Sequence, residues 1–575
     1  MALCLALGWG QPALAKSDDA TCKKPKSKID HGLEEAIESG APTVHVIITA
    51  TGPARARIRK ALRQHGDVVK GDYKLVNALA AEIHTADLQI LANDCDVTGL
   101  SLDAPVSGGS TTLTSGGATG TLRQILGAPA ASVATGRSIG VAIIDSGISQ
   151  VSDFSGRITA FYDFTHGGAP VPAYDDYGHG THIAGLIGSS GASSNGLYTG
   201  VAPEVTFVGL KVLDGSGQGN TSDVINALQF VTLNRQQLNV QIVNLSLGHP
   251  ILSAANDDPL VQAVEQASAA GLIVVVSAGN YGLNPATGLP GYAGITSPGN
   301  APSSISVGAT STETTLTRDD DRVAPFSSRG PTWYDGMAKP DIVAPGTKLI
   351  SNAKASQYLY STLDNSQVKL PGAQFLQLSG TSMATGVTSG VVALVLDANR
   401  RAGYSQTPLT PNAVKAILQY SAIPLNDASG TPYDVLTEGT GEINAAGAVA
   451  VATAIDPSAA LNTSWVRSYV PSSTAFGTQS YMWAQNIVWG NCTVSGDFLF
   501  SNLAVWSQNI VWGNNIVWGN NIVWGNNVVW GNNVVWGNNI VWSNNIVWGN
   551  NIVWGNNIVF GNNVVWSNST TGGAY

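Results

Sequence analysis

Leu272-Ile273-Val274-Val275-Val276 is apolar at every position, so neither face of a strand made from it can meet water. Such a run is stable only with both faces covered, which is the situation of a parallel sheet with helices on each side. Ile139-Gly140-Val141-Ala142-Ile143-Ile144 has the same character. Further strands are expected over 205–212 and 241–246, and helices over 222–238, 260–270 and 411–421. Strands alternating with helices of this length predict an α/β fold built on a doubly wound, mostly parallel sheet.

Open sheets of this kind collect functional groups just beyond the carboxyl ends of their strands. The run 139–144 ends there in Asp145-Ser146-Gly147, and the run 272–276 is followed by Ser277-Ala278-Gly279-Asn280. His179 stands in Gly178-His179-Gly180-Thr181-His182-Ile183-Ala184-Gly185, a glycine-flanked polar residue opening an apolar helix. Ser382 stands in Leu378-Ser379-Gly380-Thr381-Ser382-Met383-Ala384-Thr385, at the start of another. First-turn N–H groups of a helix are free to bind an anion, although the same pattern describes an N-capped core helix. Asp, His and Ser are the orienting carboxylate, base and nucleophile of acyl transfer. Asn280 is either a turn cap or an amide donor for a developing oxyanion. His182 reads as a packed, hydrogen-bonded histidine, and His166 has no catalytic context.

Upstream, a strand over 44–48, a basic helix over 54–64, strand material over 76–83, a helix over 85–93 and a strand over 97–102 give a β-α-β-β-α-β pattern. A Gly/Ser/Thr-rich linker is expected over 107–120. Residues 1–15 are apolar and end in Ala13-Leu14-Ala15, which fits a secretory signal lacking its basic region. Cys22 and Cys95 are then free to pair. Charged residues make up 11% of the 575-residue chain, with a formal net charge of -10, which argues against a nucleic-acid partner. No apolar run is long enough to predict a membrane span.

Asp145-Ser146-Gly147, His179-Gly180-Thr181-His182-Ile183-Ala184-Gly185 and Gly380-Thr381-Ser382-Met383-Ala384-Thr385 follow one another at separations of 34 and 203 residues between Asp145, His179 and Ser382. On these motifs residues 122–450 resemble the subtilase family of serine endopeptidases. Gly200-Val201-Ala202-Pro203, Phe326-Ser327-Ser328-Arg329-Gly330-Pro331 and Lys339-Pro340-Asp341-Ile342-Val343-Ala344-Pro345-Gly346 add to the resemblance. One departure is Gly386, where the family usually has proline.

The resemblance implies a secreted endopeptidase acting on proteins or peptides, with Asp145, His179 and Ser382 as triad and Asn280 as oxyanion donor. It implies no cofactor for the chemistry. Gly215, Ser216 and Gly217 on one side and Ser246, Leu247 and Gly248 on the other would hold an extended substrate as an added strand. Asp153 is a candidate ligand for one structural calcium, although the loop 191–199 does not keep the family's spacing. Residues 16–106 would be a propeptide, an intramolecular inhibitor cut away by the protein itself. The catalytic domain is expected over 121–456, followed by a linker over 457–485. The competing class is an inactive scaffold of the same fold that carries the tail; the presence of all four chemical residues argues against it.

The tail expected over 486–575 is a different material. Ten hexads fill 509–568, each a version of Asn-(Ile/Val)-Val-Trp-(Gly/Ser)-Asn, after a lone copy at 486–491. An even period keeps every hexad in the same strand phase, and units this short gain stability only by stacking. A β-solenoid or a stacked hairpin array is expected. Its roles are a stalk, a module binding cell surfaces or glycans, or self-association.

Overall fold

The computed structural model describes residues 28–109, 122–313, 315–489, 492–495 and 497–507, together with Leu3–Cys4 and the central strands of nine tail hexads. The rest of the signal expected at 1–15, Cys22 and the linker residues 110–120 lie outside the described residues. Cys95 is disulfide-bonded.

Six strands form the parallel sheet, in the order Ile158–Asp163, Thr206–Lys211, Gly140–Asp145, Ile242–Leu245, Ile273–Ser277 and Ile305–Ser311. Ile342–Pro345 adds to Ile305–Ser311 in parallel. The apolar runs are sorted by strand alternation. Val141, Ile143, Ile273 and Val275 face one core with the helices His179–Gly188, Thr381–Ala402 and Ala445–Ala454. Ala142, Ile144, Val274 and Val276 face the other, with Thr221–Asn234 and Pro259–Ala269. Both faces are therefore dry, as continuous β-branched strands require. The helix Thr381–Ala402 is long and apolar enough to cross a membrane, but the 18-residue apolar window that gives it this character is 100% buried in this core. The chain first builds to one side of Gly140–Asp145 and then crosses to the other at Ile242–Leu245. The reversal of strand order, where such sheets open a crevice, thus falls beside Asp145.

The N-terminal segment has the expected β-α-β-β-α-β order, with a four-stranded antiparallel sheet of Val68–Tyr73, Ala78–His84, Thr43–Ala50 and Val97–Leu102. A helix before it, His31–Glu38, was not expected from the sequence. On one face Val46, Ile48, Leu79 and Ala81 make a separate core with Ile58 and Leu62 of the helix Gly52–His65. On the other, Ile47, Ala78 and Ala80 join the second core of the main sheet. The contact is also polar. Asp103 accepts from Ser222 N and Ser222 Oγ, both at 2.8 Å, and so caps the helix Thr221–Asn234, whose own N-cap Asn220 makes no side-chain cap bond.

Residues 457–485 are not a linker. Trp465 and Trp483 lie in the first core, 1% and 4% exposed, and their indole N–H groups donate to Leu499 O at 2.6 Å and Thr474 Oγ1 at 2.8 Å. The lone hexad belongs to the same body: its strand Asn486–Trp489 buries Ile487 and Trp489 there. Apolar bulk with satisfied donors makes this stretch part of the main-sheet body as far as Ser507.

Between the hexad strands from Ile516 to Trp566 the pairs are parallel and span 18 residues, as in Ile516↔Val534 and Val534↔Ile552, while Leu3–Cys4 pairs antiparallel with Ile516–Trp518. The other two ladders repeat this offset from Ile522 and from Val528. A parallel offset of three hexads is the pairing expected of a β-solenoid; stacked hairpins would pair antiparallel.

Trp465→Ala is expected to lower the stability of the main-sheet body by about 3–5 kcal/mol, the usual loss for a buried tryptophan. Urea unfolding followed by enzyme fluorescence measures it. A loss under about 0.5 kcal/mol would mean that 457–485 is loosely attached.

Candidate functional site

Asp145 ends its strand at the sheet reversal, fully buried. A carboxylate taken out of water needs compensation. His179 supplies it from the first position of its helix, with Nδ1 at 2.8 Å from Asp145 Oδ1 and 2.9 Å from Oδ2. The helix can come this close because residue 180 is glycine: a Cβ there would stand 2.1 Å from Gly147 O. Desolvation pulls the His179 pKa down, but the charge and hydrogen bond of Asp145 and the charge of Asp175 outweigh it, and the net shift is upward. With Nδ1 held, Nε2 is left as the other ring nitrogen; it is buried and has no hydrogen-bond partner among the described residues.

Asp175 was not singled out in the sequence. It is buried and accepts from Ser146 Oγ at 2.9 Å, Gly178 N at 2.8 Å, Thr181 N at 2.9 Å and Thr181 Oγ1 at 2.6 Å. One carboxylate thus ties the Asp145 loop to the His179 loop. Its only sequence signal is its place in Tyr174-Asp175-Asp176-Tyr177, an acidic pair ahead of a glycine and a histidine. His182, as expected, is packed: it is fully buried, its Nε2 lies 3.1 Å from Leu349 O and 3.0 Å from Leu376 O, and burial with the neighbouring His179 pushes its pKa down to about 3.

Ser382 is in the first turn of its helix, and Asn280 lies across from it. Asn280 Oδ1 accepts from Thr381 N at 2.9 Å and Thr381 Oγ1 at 3.0 Å, which turns its Nδ2 outward. That amide donates to Gly109 O at 3.1 Å, and the Ser382 hydroxyl is 2.9 Å from the same oxygen. Ser382 Oγ is also 3.1 Å from Ser246 O. One carbonyl of the N-terminal segment therefore lies between the two polar groups expected to act on a substrate carbonyl. A Cβ on Gly380 would stand 2.8 Å from Gly109 O, so the glycine leaves room for it.

Gly109 arrives at the end of the strand Pro105–Gly108, which is paired antiparallel on both edges. Leu247 and Gly248, two of the three residues expected on this side, pair with Gly108 and Ser107. The opposite edge differs. Gln218, Gly219 and Asn220 pair with Ser107, Val106 and Pro105, three residues beyond the expected Gly215-Ser216-Gly217. Asp214 explains the offset: its carboxylate accepts from Ser216 N at 2.8 Å and Gln218 N at 3.0 Å and folds Gly215–Gly217 into a turn.

Asp153 does not fit a calcium site. It is 1% exposed, and its oxygens already take donors, Ser193 N at 2.8 Å and Ser190 Oγ at 3.2 Å on Oδ1 and Asn352 Nδ2 at 2.6 Å on Oδ2. The Arg157 guanidinium sits on its main-chain oxygen. Calcium needs surrounding oxygen acceptors; these groups are donors and a cation.

A sequence model of the subtilase family matches residues 136–452. Serine protease AprX of Bacillus subtilis (strain 168) is 40% identical over 320 residues, 55% of this chain and 67% of that protein. Subtilisin E of the same strain is 31% identical over 357 residues, 60% of this chain and 78% of that protein. Among solved structures, fervidolysin from Fervidobacterium pennivorans, titled a keratinolytic enzyme related to subtilisin, aligns with a TM-score of 0.54 at 19% identity. The alignment covers 71% of this chain and 61% of that one, and shows the fold alone.

Asp175→Asn removes a negative charge that raises the His179 pKa. The acid limb of the pH–activity profile is therefore expected to move to lower pH, and stability to fall by about 1–3 kcal/mol from the lost buried hydrogen bonds. An unmoved limb would mean that Asp175 does not act on the imidazole.

Proposed function

The chain belongs to the subtilase family and is a serine endopeptidase, and from that premise we propose that it cuts with Asp145, His179, Ser382 and Asn280 and is made as a self-processing, secreted proprotein. Gly109 O, contacted by both Ser382 Oγ and Asn280 Nδ2, is the observation that carries this reading.

In the proposed reaction Ser382 Oγ attacks the carbonyl carbon while its proton passes to His179 Nε2. Asp145 holds Nδ1 and stabilises the imidazolium that forms. The carbonyl oxygen becomes an oxyanion facing Asn280 Nδ2, whose amide cannot flip without setting Oδ1 against Gly109 O and losing both Thr381 bonds. His179 then protonates the leaving amine, and water releases the acyl group from Ser382. Subtilases need no cofactor for this chemistry, and the groups named account for each proton.

The first substrate is internal. With Gly109 O at Ser382 and Asn280, the scissile bond is that between Gly109 and Ser110, and residues up to Gly109 are the propeptide. Main-chain ladders on both edges of Pro105–Gly108 also explain inhibition, since a segment held in this way keeps other peptides out of the cleft. Glycine suits the position: a Cβ on Gly109 would stand 2.6 Å from Asn280 Nδ2. Substrates of the mature enzyme are extended protein segments bound in the same two ladders. Export is supported by the apolar start of the sequence. For the tail we propose a passive stalk, supported by a backbone pairing that repeats without variation.

Peptide hydrolysis should be abolished by a serine-directed organophosphate and be absent in Ser382→Ala. Asn280→Ala should lower kcat by about 10²–10³-fold with little change in KM, because the amide meets a charge present only in the transition state. A raised KM at unchanged kcat would make Asn280 a structural cap and overturn the assignment.

A further inference from the structure

The N-terminal segment also brings together His65, Asp67, His84 and Asp87. His65 is the last residue of the helix Gly52–His65, Asp67 follows it in the turn, His84 ends the strand Ala78–His84, and Asp87 lies in the turn Thr85–Asp87. His65 Nδ1 is 3.2 Å from Asp67 Oδ2 and 3.4 Å from Asp87 Oδ2. His84 Nδ1 is 3.4 Å from Asp67 Oδ1 and 3.8 Å from Asp87 Oδ2. One ligand atom from each residue lies within 4.8 Å of the other three.

Two further observations point to a ligand. The Asp67 side chain is only 2% exposed, yet its Oδ1 has no hydrogen-bond partner, and the buried Asp87 Oδ2 also has none. Their contacts are with the two imidazoles, and among the described residues no Lys or Arg forms an ion pair with either carboxylate. Two buried acceptors thus face two imidazoles across a space with no fixed cation, although a desolvated carboxylate oxygen is costly unless compensated. The spacing matters as well. A tetrahedral ion with bonds of about 2.0–2.1 Å sets its ligands about 3.3 Å apart; the nitrogen–oxygen separations here are 3.2, 3.4 and 3.4 Å, with His84 to Asp87 longer at 3.8 Å.

We propose that His65, Asp67, His84 and Asp87 bind one divalent transition metal ion of the zinc class. Imidazole nitrogens select such an ion over calcium or magnesium, and two carboxylates provide the charge. Both imidazoles bind through Nδ1 in their neutral form. The ion clips the end of the helix Gly52–His65 to the end of the strand Ala78–His84, and so stabilises the segment that fills the cleft. This holds whether or not the segment is removed by the protein itself.

The test uses the full chain carrying Ser382→Ala, stripped with chelator, loaded with Zn²⁺ and freed of excess. Elemental analysis should give one zinc per chain, and the same chain carrying His65→Gln and His84→Gln should lose it. Co²⁺ added to the otherwise unaltered Ser382→Ala chain gives a readout that needs no change at the site. An intense visible absorption of four-coordinate cobalt should appear and be displaced by one equivalent of Zn²⁺. Zinc retained equally by the double variant, no retained zinc, or only the weak spectrum of six-coordinate cobalt would each overturn the proposal.

Discussion

Asp145 and His179 face each other at the end of one strand with no exposure to water, and much of the surrounding structure serves to make that tolerable. A buried carboxylate must be paired and hydrogen-bonded, and the pairing here leaves Nε2 as the imidazole nitrogen without a hydrogen-bond partner among the described residues. The strand can end in the interior because both faces of the sheet are dry. The helix can bring His179 that close because Gly180 has no side chain to meet Gly147. Asp175 then joins the two loops, so that the pair is held by main-chain donors as well as by its own attraction.

The second half of the site is organised by main chain. Pro105–Gly108 has strand partners on both edges, and this delivers one carbonyl to Ser382 and Asn280. Pro105 and Gly108 have poor strand propensity, so the extended form of Pro105–Gly108 comes from the ladders it joins. The N-terminal segment is also built into the body through Asp103, which caps the helix Thr221–Asn234. Departure of the segment would remove this cap together with the strand.

Much of this could be read in the sequence, and the limits have physical causes. The continuous apolar strands and the three motif-bearing residues were legible because burial on two faces leaves a compositional mark and acyl transfer needs particular side chains. The register of the cleft was not, because Gly215–Gly217 and Gln218–Asn220 are equally plain; the choice depends on the Asp214 side chain turning back on the main chain. Asp175 was missed because a carboxylate that ties two loops together looks like a surface one until its donors are known. Residues 457–485 read as a linker because Trp465 and Trp483 are buried by neighbours distant in sequence, with no periodicity of their own. Asp153 misled in the opposite direction, since an aspartate read as a candidate calcium ligand is a hydrogen-bonded anchor here.

The central claim is that the Gly109 carbonyl occupies the cleft as a substrate, poised for cutting by Ser382. Intact-mass analysis of the fragments from freshly folded protein measures this at the bond itself. A released fragment ending at Gly109 with a mature chain beginning at Ser110, and an uncut chain in Ser382→Ala, is the predicted result. A first cut elsewhere, or the same cut in Ser382→Ala, would contradict it.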